Sequence, residues 1–376
     1  MSVAVQAGER LVDDFVRYCE IESPSLRERP MADAVTADLR ALGLEVDEDA
    51  SAGATGSDAG NLVARIPGPR GRRTIMLCAH LDTVPLAAPV EVTRDGGVLA
   101  NRNEAILGAD NKAAVTTIIA AVRHLLDRGG PPVGLELVFT TAEELALRGA
   151  RELDRQALRS EFGFVFDHAS PVGELIVAAP TYYRLLARFT GVAAHAGMSP
   201  EKGRSAIAAA ARAVAGMRLG RLDDRTTANA GVIAGGSAGN VVAERCEVEL
   251  EARSLDEDAA SRVIQEMVDH CSDAAGATEC DVDTIVEQLF RGFKLPRSAP
   301  AVRAAATALE RIGVEPVYRS TGGGSDANAL IPAGLPVLNV ANGTERPHQP
   351  DESVTHEALG TMLELTVAIV DASAEV

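Results

Sequence analysis

Five short segments of this sequence carry acidic or histidine side chains that could bind metal ions or transfer protons. Each lies where an apolar run predicted to be a strand has ended, and one of them also opens a predicted helix. In an open α/β sheet, ligands bind in the crevice beyond the carboxyl ends of the strands. The five segments contain His80 with Asp82, Asp110, Glu143 with Glu144, Asp167 with His168, and His348. Their common position predicts one binding site.

His80 and Asp110 each allow two interpretations when taken alone. A neutral imidazole is a good zinc ligand, and Asp82 could orient His80 by accepting its other N–H. A polar strand end with a surface histidine explains the same residues equally well. Asp110 opens a predicted helix and would suit its N-cap position. The same carboxylate could instead give one oxygen to each of two metal ions.

The remaining segments are also ambiguous on their own. Glu143 and Glu144 could form a solvated face that complements the helix dipole. They could also divide the work of catalysis, one binding metal while the other takes a proton from water. Either Asp167 or His168 could be a ligand. Two prolines fix the loop that carries His348, which makes it a reasonable place for a ligand.

The elements that must position these residues follow an alternating pattern. Strands and helices alternate along residues 1–177 and 289–376, which predicts a mixed α/β sheet with helices on both faces, including a largely helical stretch over 143–158. Residues 178–288 instead show the β-α-β-β-α-β order of a ferredoxin-like unit, with a long strand over 240–254. We therefore predict a catalytic domain in two parts, residues 1–177 and 289–376, and an inserted domain, residues 178–288.

Composition excludes several classes of partner. The chain has 376 residues, 36 basic against 54 acidic, and a formal net charge of −18. So negative a surface disfavours nucleic acid and anionic membranes. No apolar run approaches the ~18 residues needed to span a bilayer. The five cysteines are an odd number without a CxxC pair, which is typical of free thiols in a reducing compartment. A cytoplasmic protein is expected.

Taken in order, the motifs resemble the M20 metallopeptidase family, which includes tripeptide aminopeptidases, carboxypeptidases, dipeptidases and acyl-amino-acid deacylases. The resemblance covers essentially the whole chain. The matching motifs are His80-x-Asp82, Gly108-Ala109-Asp110-Asn111-Lys112, Glu143-Glu144 with Arg148-Gly149-Ala150, Asp167 and His348. The family resemblance implies two zinc ions, one held by His80, Asp110 and Asp167 and the other by Asp110, Glu144 and His348. It also implies that Asp82 orients His80 and that Glu143 is the general base. Cobalt or manganese could replace zinc at such nitrogen and oxygen ligands.

Further motifs resemble the substrate-binding segments of the same family. His195, within Gly191–Gly197, matches a histidine that stabilises the oxyanion, in many members from the insert of the partner subunit. Asn240 matches a substrate-contacting asparagine. Gly323, Gly324 and Ser325 match a glycine-rich loop at the substrate site, although a tight turn explains the glycines equally well. The resemblance thus implies an inserted lid or dimerisation domain and a homodimer.

The resemblance predicts a dinuclear zinc hydrolase that cleaves amide bonds of short peptides. Asp167 and the stretch 173–180 favour the tripeptide aminopeptidase branch, peptidase T. A carboxypeptidase, a dipeptidase or an N-acyl amino acid amidohydrolase of the same family would share the metal chemistry. A non-catalytic binding protein with this fold is disfavoured because every ligand and base position is filled.

Overall fold

The computed structural model describes residues 3–376, with side chains from residue 8 onward. The helices are α1 Val3–Cys19, α2 Arg29–Ala41, α3 Ala52–Thr55, α4 Ala109–Asp127, α5 Arg148–Glu152, α6 Ala206–Gly216, α7 Glu257–Ala277, α8 Pro300–Arg311, α9 Ala327–Leu330 and α10 His356–Ala372. Short 3₁₀ helices span Arg155–Ala157 and Pro200–Lys202.

The strands are β1 Val46–Glu48, β2 Leu62–Ile66, β3 Thr74–His80, β4 Val92–Asp95, β5 Val98–Asn101, β6 Gly134–Thr140, β7 Phe162–His168, β8 Glu174–Ala179, β9 Thr181–Thr190, β10 Gly220–Arg221, β11 Thr226–Gly235, β12 Arg245–Ser254, β13 Asp281–Phe290, β14 Phe293–Lys294, β15 Val317–Ser320, β16 Val337–Ala341, β17 Thr344–Glu345 and β18 Ser353–Thr355.

The chain divides into two compact units. Residues 1–177 and 294–376 form the first unit, and residues 178–293 form the second, which is inserted into it. The sequence predicts that the insert ends at residue 288, but the second unit extends to residue 293, because β13 continues past a register shift to pair Phe290 with Tyr182 of β9. Among the described residues, no helix is both long and apolar enough to cross a membrane.

A mixed sheet runs through the first unit in the order β1-β2-β6-β3-β7-β16-β8, with β15 beside β8. Strands β6, β3, β7 and β16 are parallel neighbours. Their carboxyl ends meet at one edge of the sheet, where His80 lies opposite Thr140 and His168 lies opposite Ala341. The predicted mixed α/β sheet is confirmed, and the loops after these strands are positioned to share one site.

The core of the first unit consists mainly of aliphatic side chains, many of them alanine, valine and leucine, with a few phenylalanines. Every residue of β6 is buried, and α4 is buried along most of its length. Helices α1, α4, α8 and α10 pack on one another. Many of their contact positions are alanine, which allows close helix packing. Strands β4, β5, β17 and β18 form a separate small antiparallel sheet.

The second unit is an antiparallel sheet in the order β10-β11-β12-β9-β13. Alternate residues of β9 and β12 are buried in a cluster with apolar side chains of α6 and α7, as expected when one face of a sheet is covered by helices. Both helices are capped, α6 by the Ser205 hydroxyl and α7 by the Asp256 carboxylate. The predicted β-α-β-β-α-β insert is confirmed.

Two predicted elements are shorter in the structure. The stretch 143–158 contains only the short helix α5 and one 3₁₀ turn, because Ala142, Ala146 and Leu147 adopt positive φ angles that interrupt an α-helix. The strand predicted over 240–254 begins at Arg245. Residues 240–244 instead contact the segment around His195. The N–H of Val242, for example, donates to the carbonyl of Ala194 at 2.9 Å.

Candidate metal centre

His80, Asp110 and Asp167 form the first group of possible ligands. His80 ends β3 and Asp167 lies near the end of the adjacent parallel strand β7, so both side chains reach the same edge of the sheet. The His80 Nε2 atom is 3.5 Å from Asp110 Oδ1 and 3.5 Å from Asp167 Oδ1. One ligand atom from each residue lies within 4.8 Å of the others. A small cation fits among these three atoms.

Asp110, Glu144 and His348 form a second group with the same spacing of ligand atoms. The His348 Nε2 atom is 2.9 Å from Glu144 Oε1 and 3.5 Å from Asp110 Oδ2. Asp110 therefore turns one oxygen toward each group. Its Oδ1 atom is buried and has no hydrogen-bond partner among the described residues. An unsatisfied buried carboxylate oxygen beside a histidine fits a ligand that bridges two cations.

The start of α4 shows that Asp110 is not the N-cap residue of this helix. Gly108, with a φ of 75°, occupies the N-cap position, and Asp110 departs from helical backbone angles. Glu352 holds this loop through three backbone N–H groups. Those of Leu107 and Gly108 donate to one carboxylate oxygen at 2.8 Å, and that of Asp110 donates to the other at 2.9 Å. The Asp110 side chain is thus directed at the histidines and does not cap the helix.

The electrostatics of this edge indicate an excess of negative charge. Burial raises the pKa of Asp167 to about 7, and burial with the nearby Asp167 carboxylate raises the pKa of Glu143 well above its usual value. Hydrogen bonds to Asp110 and Glu144 raise the pKa of His348 to about 10. Carboxylates crowded in this way retain protons unless cations stabilise their ionised forms. The donor set therefore favours bound cations.

Asp82 connects His80 to the Glu143-Glu144 segment. The His80 Nδ1 atom is 2.9 Å from the backbone carbonyl of Asp82 and 3.4 Å from its Oδ1 atom. The two carboxylate oxygens accept the backbone N–H groups of Glu143 at 3.0 Å and Glu144 at 3.2 Å. Asp82 thus lies against the imidazole of His80, and its carboxylate also holds the backbone of both glutamates.

The turn over residues 141–144 carries Glu143 and Glu144 and is fixed by buried side chains. The N–H of Thr141 donates to Asn61 Oδ1 at 3.1 Å, and the N–H of Ala142 donates to Glu28 Oε1 at 3.0 Å. Gly149 lies directly on this turn, since a Cβ there would be 2.2 Å from the Thr141 carbonyl oxygen. The turn therefore holds Glu143 beside the ligand atoms of His80 and Glu144.

His195 and Asn240 lie together in the second unit. The N–H of Ala196 donates to the Asn240 carbonyl at 2.9 Å, and His195 forms a β-bridge with Val241. The exposed imidazole of His195 accepts the N–H groups of Gly197 and Met198 at its Nδ1 atom, at 3.2 and 3.1 Å. The neutral ring therefore carries its proton on Nε2, which leaves that atom as a hydrogen-bond donor.

The glycine-rich loop brings a further residue, Asp326, beside the strand end that precedes Glu143. Gly323 lies in a bend and Gly324 follows it, and the buried Ser325 donates its N–H to Asn328 Oδ1 at 3.2 Å. Its neighbour Asp326 is buried and accepts the Thr140 hydroxyl at 2.5 Å, directly before the turn that carries Glu143. Sequence reasoning missed Asp326, although it belongs to the same motif.

Glu28, Asn61 and Glu352 were also missed by sequence reasoning. Glu352 was the easier to find, because it follows His348 by four residues in the same proline-containing loop. Glu28 and Asn61 gave no such signal, since they lie far along the chain from the residues that they hold.

Comparisons with known proteins identify relatives over the full length of the chain. Two family models match parts of it: the peptidase dimerisation domain of the M20 type over residues 183–279, and peptidase family M28 over residues 61–197. Over 367 residues the chain is 34% identical to the uncharacterized protein YqjE of Bacillus subtilis, covering 98% of this chain and 99% of that protein.

Two solved structures share both fold and sequence with this chain. Aminopeptidase PepT from Bacillus cereus is 36% identical with a TM-score of 0.87, and a tripeptidase from Staphylococcus aureus is 31% identical with a TM-score of 0.92. Each alignment covers 98% of this chain and 99% of the other. With ligand groups, insert and relatives in agreement, the chain belongs to the M20 family of metallopeptidases, in its peptidase T-like branch.

Proposed function

We propose that this chain is a dinuclear zinc aminopeptidase that removes the N-terminal residue of short peptides, with tripeptides as the preferred substrates. The observation that carries the proposal is the position of Asp110, whose two oxygens face His80 and His348 at 3.5 Å each. One zinc ion is assigned to His80, Asp110 and Asp167, and the other to Asp110, Glu144 and His348. Bound zinc would lower the pKa of a water toward neutrality and polarise the scissile carbonyl group.

Glu143 is assigned as the general base. Its side chain lies beside the proposed ligands Glu144 and His80, and its backbone N–H is fixed by Asp82. We infer that Glu143 removes a proton from the attacking water and then gives it to the amine nitrogen when the amide bond breaks. One carboxyl group thus serves both proton transfers, so no second acid is required.

His195 is assigned as the donor that stabilises the oxyanion. The two N–H groups that donate to its Nδ1 atom keep the proton on Nε2, the state that such a donor requires. We infer that the chain forms a homodimer through the inserted domain. In that dimer, His195 of one chain would act at the metal site of the other chain. The match of residues 183–279 to a peptidase dimerisation domain supports this. A light-scattering mass equal to one chain of 39.2 kDa would contradict it.

The substrate class is inferred from the relatives. The aminopeptidase and tripeptidase named above align with nearly the whole chain, which supports a free α-amino group and a short peptide as the recognised features. Asn240, Gly323, Gly324 and Ser325 are proposed to contact the substrate. The buried cysteines, none of them in a disulfide, support a cytoplasmic location.

A matched pair of substrates tests the proposal. Zinc-loaded protein is assayed with a tripeptide and with the same tripeptide acetylated at its α-amine, and the released products are identified by mass spectrometry. We expect the free tripeptide to yield its N-terminal amino acid and a dipeptide, and the acetylated one to resist cleavage. Release of the C-terminal residue would indicate a carboxypeptidase, and release of acetate from the acetylated tripeptide alone would indicate an amidohydrolase.

A further inference from the structure

The turn over residues 141–144, here called the catalytic turn, is unusual in how its backbone N–H groups are satisfied. Four consecutive donors, those of Thr141, Ala142, Glu143 and Glu144, each bond to an oxygen of a side chain from the first 82 residues. Sequences rich in Glu, Leu and Ala favour a helix here. These side chains hold the backbone in another conformation instead.

Among the side chains that accept these N–H groups, Glu28 is the one whose contacts lie at the most strained residue of the turn. It occupies the N-cap position of α2, yet its side chain does not cap that helix. One oxygen instead accepts the N–H of Ala142 at 3.0 Å, and the other accepts the Ser57 hydroxyl at 2.6 Å. Ala142 has a φ of 51°, a conformation that costs a non-glycine residue about 1 kcal/mol or more. The Glu28 bond therefore acts at the strained point of the turn.

The burial of Glu28 makes its position costly. The residue is 0% exposed, and burial raises the pKa of its carboxyl group. The nearby Asp82 carboxylate raises this pKa further. Burying an acidic group that accepts bonds from N–H and O–H donors costs free energy. Stability alone is therefore a weak explanation for the presence of Glu28.

We propose that Glu28 is a positioning residue that holds the catalytic turn in the conformation from which Glu143 reaches the water. This inference rests on the proposed role of Glu143 as general base. The Glu28 carboxylate fixes Ala142, and Asp82 fixes the two glutamates that follow it. Since Glu143 and Glu144 must face the same small space, a rotation at Ala142 moves both carboxylates.

The chain offers a matched control in Glu136. This glutamate is 1% exposed, accepts the N–H groups of Arg159 and Ser160, and accepts the Ser160 hydroxyl at 2.6 Å. It also pairs with Arg65 at 3.2 Å. Glu136 lies four residues before Thr140 on β6, about 13 Å from the catalytic turn at the usual rise per residue. Its replacement should cost stability without touching the site.

Three variants separate positioning from stability. Glu28→Met keeps the volume but removes the acceptors, Glu28→Gln keeps one acceptor for Ala142, and Glu136→Met is the control. With saturating zinc and a tripeptide substrate, we expect Glu28→Met to lower kcat at least about tenfold with KM nearly unchanged, because small displacements of catalytic groups are costly. Glu28→Gln should stay within about threefold of wild type, and so should Glu136→Met despite a lower Tm.

Hydrogen–deuterium exchange of the metal-free protein gives a readout that does not depend on activity. We expect the peptide over residues 141–147 to exchange faster in Glu28→Met and at the wild-type rate in Glu136→Met. Unchanged exchange of this peptide in Glu28→Met, or equal losses of kcat in the two methionine variants, would overturn the proposal. If wild-type protein cleaves no peptide, the proposed function fails, and the exchange comparison alone decides the role of Glu28.

Discussion

Replacing Glu143 by glutamine should abolish most turnover while leaving both metal positions filled. Glutamine has the same number of heavy atoms as glutamate, so the substitution leaves no cavity. The bond from the residue 143 N–H to Asp82 is made by the backbone and persists. The proposed ligands Glu144 and His348 remain 2.9 Å apart. Only the ability to take a proton is lost.

The magnitude follows from that single loss. A positioned general base contributes about 10²–10⁴ in rate, which equals about 2.7–5.4 kcal/mol of transition-state stabilisation at 1.36 kcal/mol per tenfold change. Bound zinc can still acidify water, so some activity should remain. We therefore expect kcat to fall by about 10²–10⁴ with zinc content unchanged, measured by plasma emission beside a tripeptide assay.

The same variant has a second signature in the metal-free protein. Burial raises the pKa of Glu143 well above the value of 4.5 expected for an unfolded chain. An acid with a raised folded-state pKa destabilises the fold as the pH rises above the unfolded-state value. Metal-free Glu143→Gln should therefore have a higher Tm than metal-free wild type at pH 7, and the difference should shrink toward pH 4.5. Near-normal turnover, or a lower metal-free Tm, would refute this account of Glu143.

Three further predictions concern the metals, the insert and the thiols. Chelation of zinc should lower Tm, and added zinc should restore it. At a free zinc concentration of 100 times Kd, binding adds about 2.7 kcal/mol to the free energy of unfolding. A Tm unaffected by chelators would contradict the metal site. His195→Ala should lower kcat without loss of zinc, and mixing it with inactive Glu143→Ala should restore activity through hybrid dimers. No recovery despite subunit exchange would show that the histidine does not act at the site of the partner chain. Burial raises the pKa values of Cys19, Cys78 and Cys271, the last to about 11. These thiols should therefore resist a thiol reagent at pH 8 until the protein is unfolded. Rapid labelling of the native protein would contradict this.

The sheet and its helices were predictable because their patterns are local. The run Phe162–Phe166 is apolar throughout, and Leu135–Thr140 is apolar except for Glu136 and the terminal Thr140, which is typical of buried parallel strands. Of the residues proposed as metal ligands, His80 and Asp167 lie at the ends of strands, Asp110 lies at the start of α4, and the other two lie in loops. Strand order at one edge of a sheet then brings these residues together.

The catalytic turn was not predictable from local sequence. Residues 143–158 have helical propensity, but the backbone N–H groups that would begin a helix are bound by Glu28, Asn61 and Asp82. Contacts between residues so distant in the chain override propensity and leave no periodic signal. The same applies to residues 240–244, which contact the His195 segment and do not extend β12.

The two proposed zinc positions become available at different times during synthesis. His80, Asp110 and Asp167 all precede the insert, whereas His348 follows Glu144 by 204 residues. At about 5–20 residues per second, a ribosome needs about 10–40 s to cover that interval. Strand β16, which lies between β7 and β8, is also made after the insert. A nascent chain therefore exposes four of the five proposed ligands well before the fourth strand of the parallel core exists, and the second proposed metal position can be completed only in a nearly finished protein.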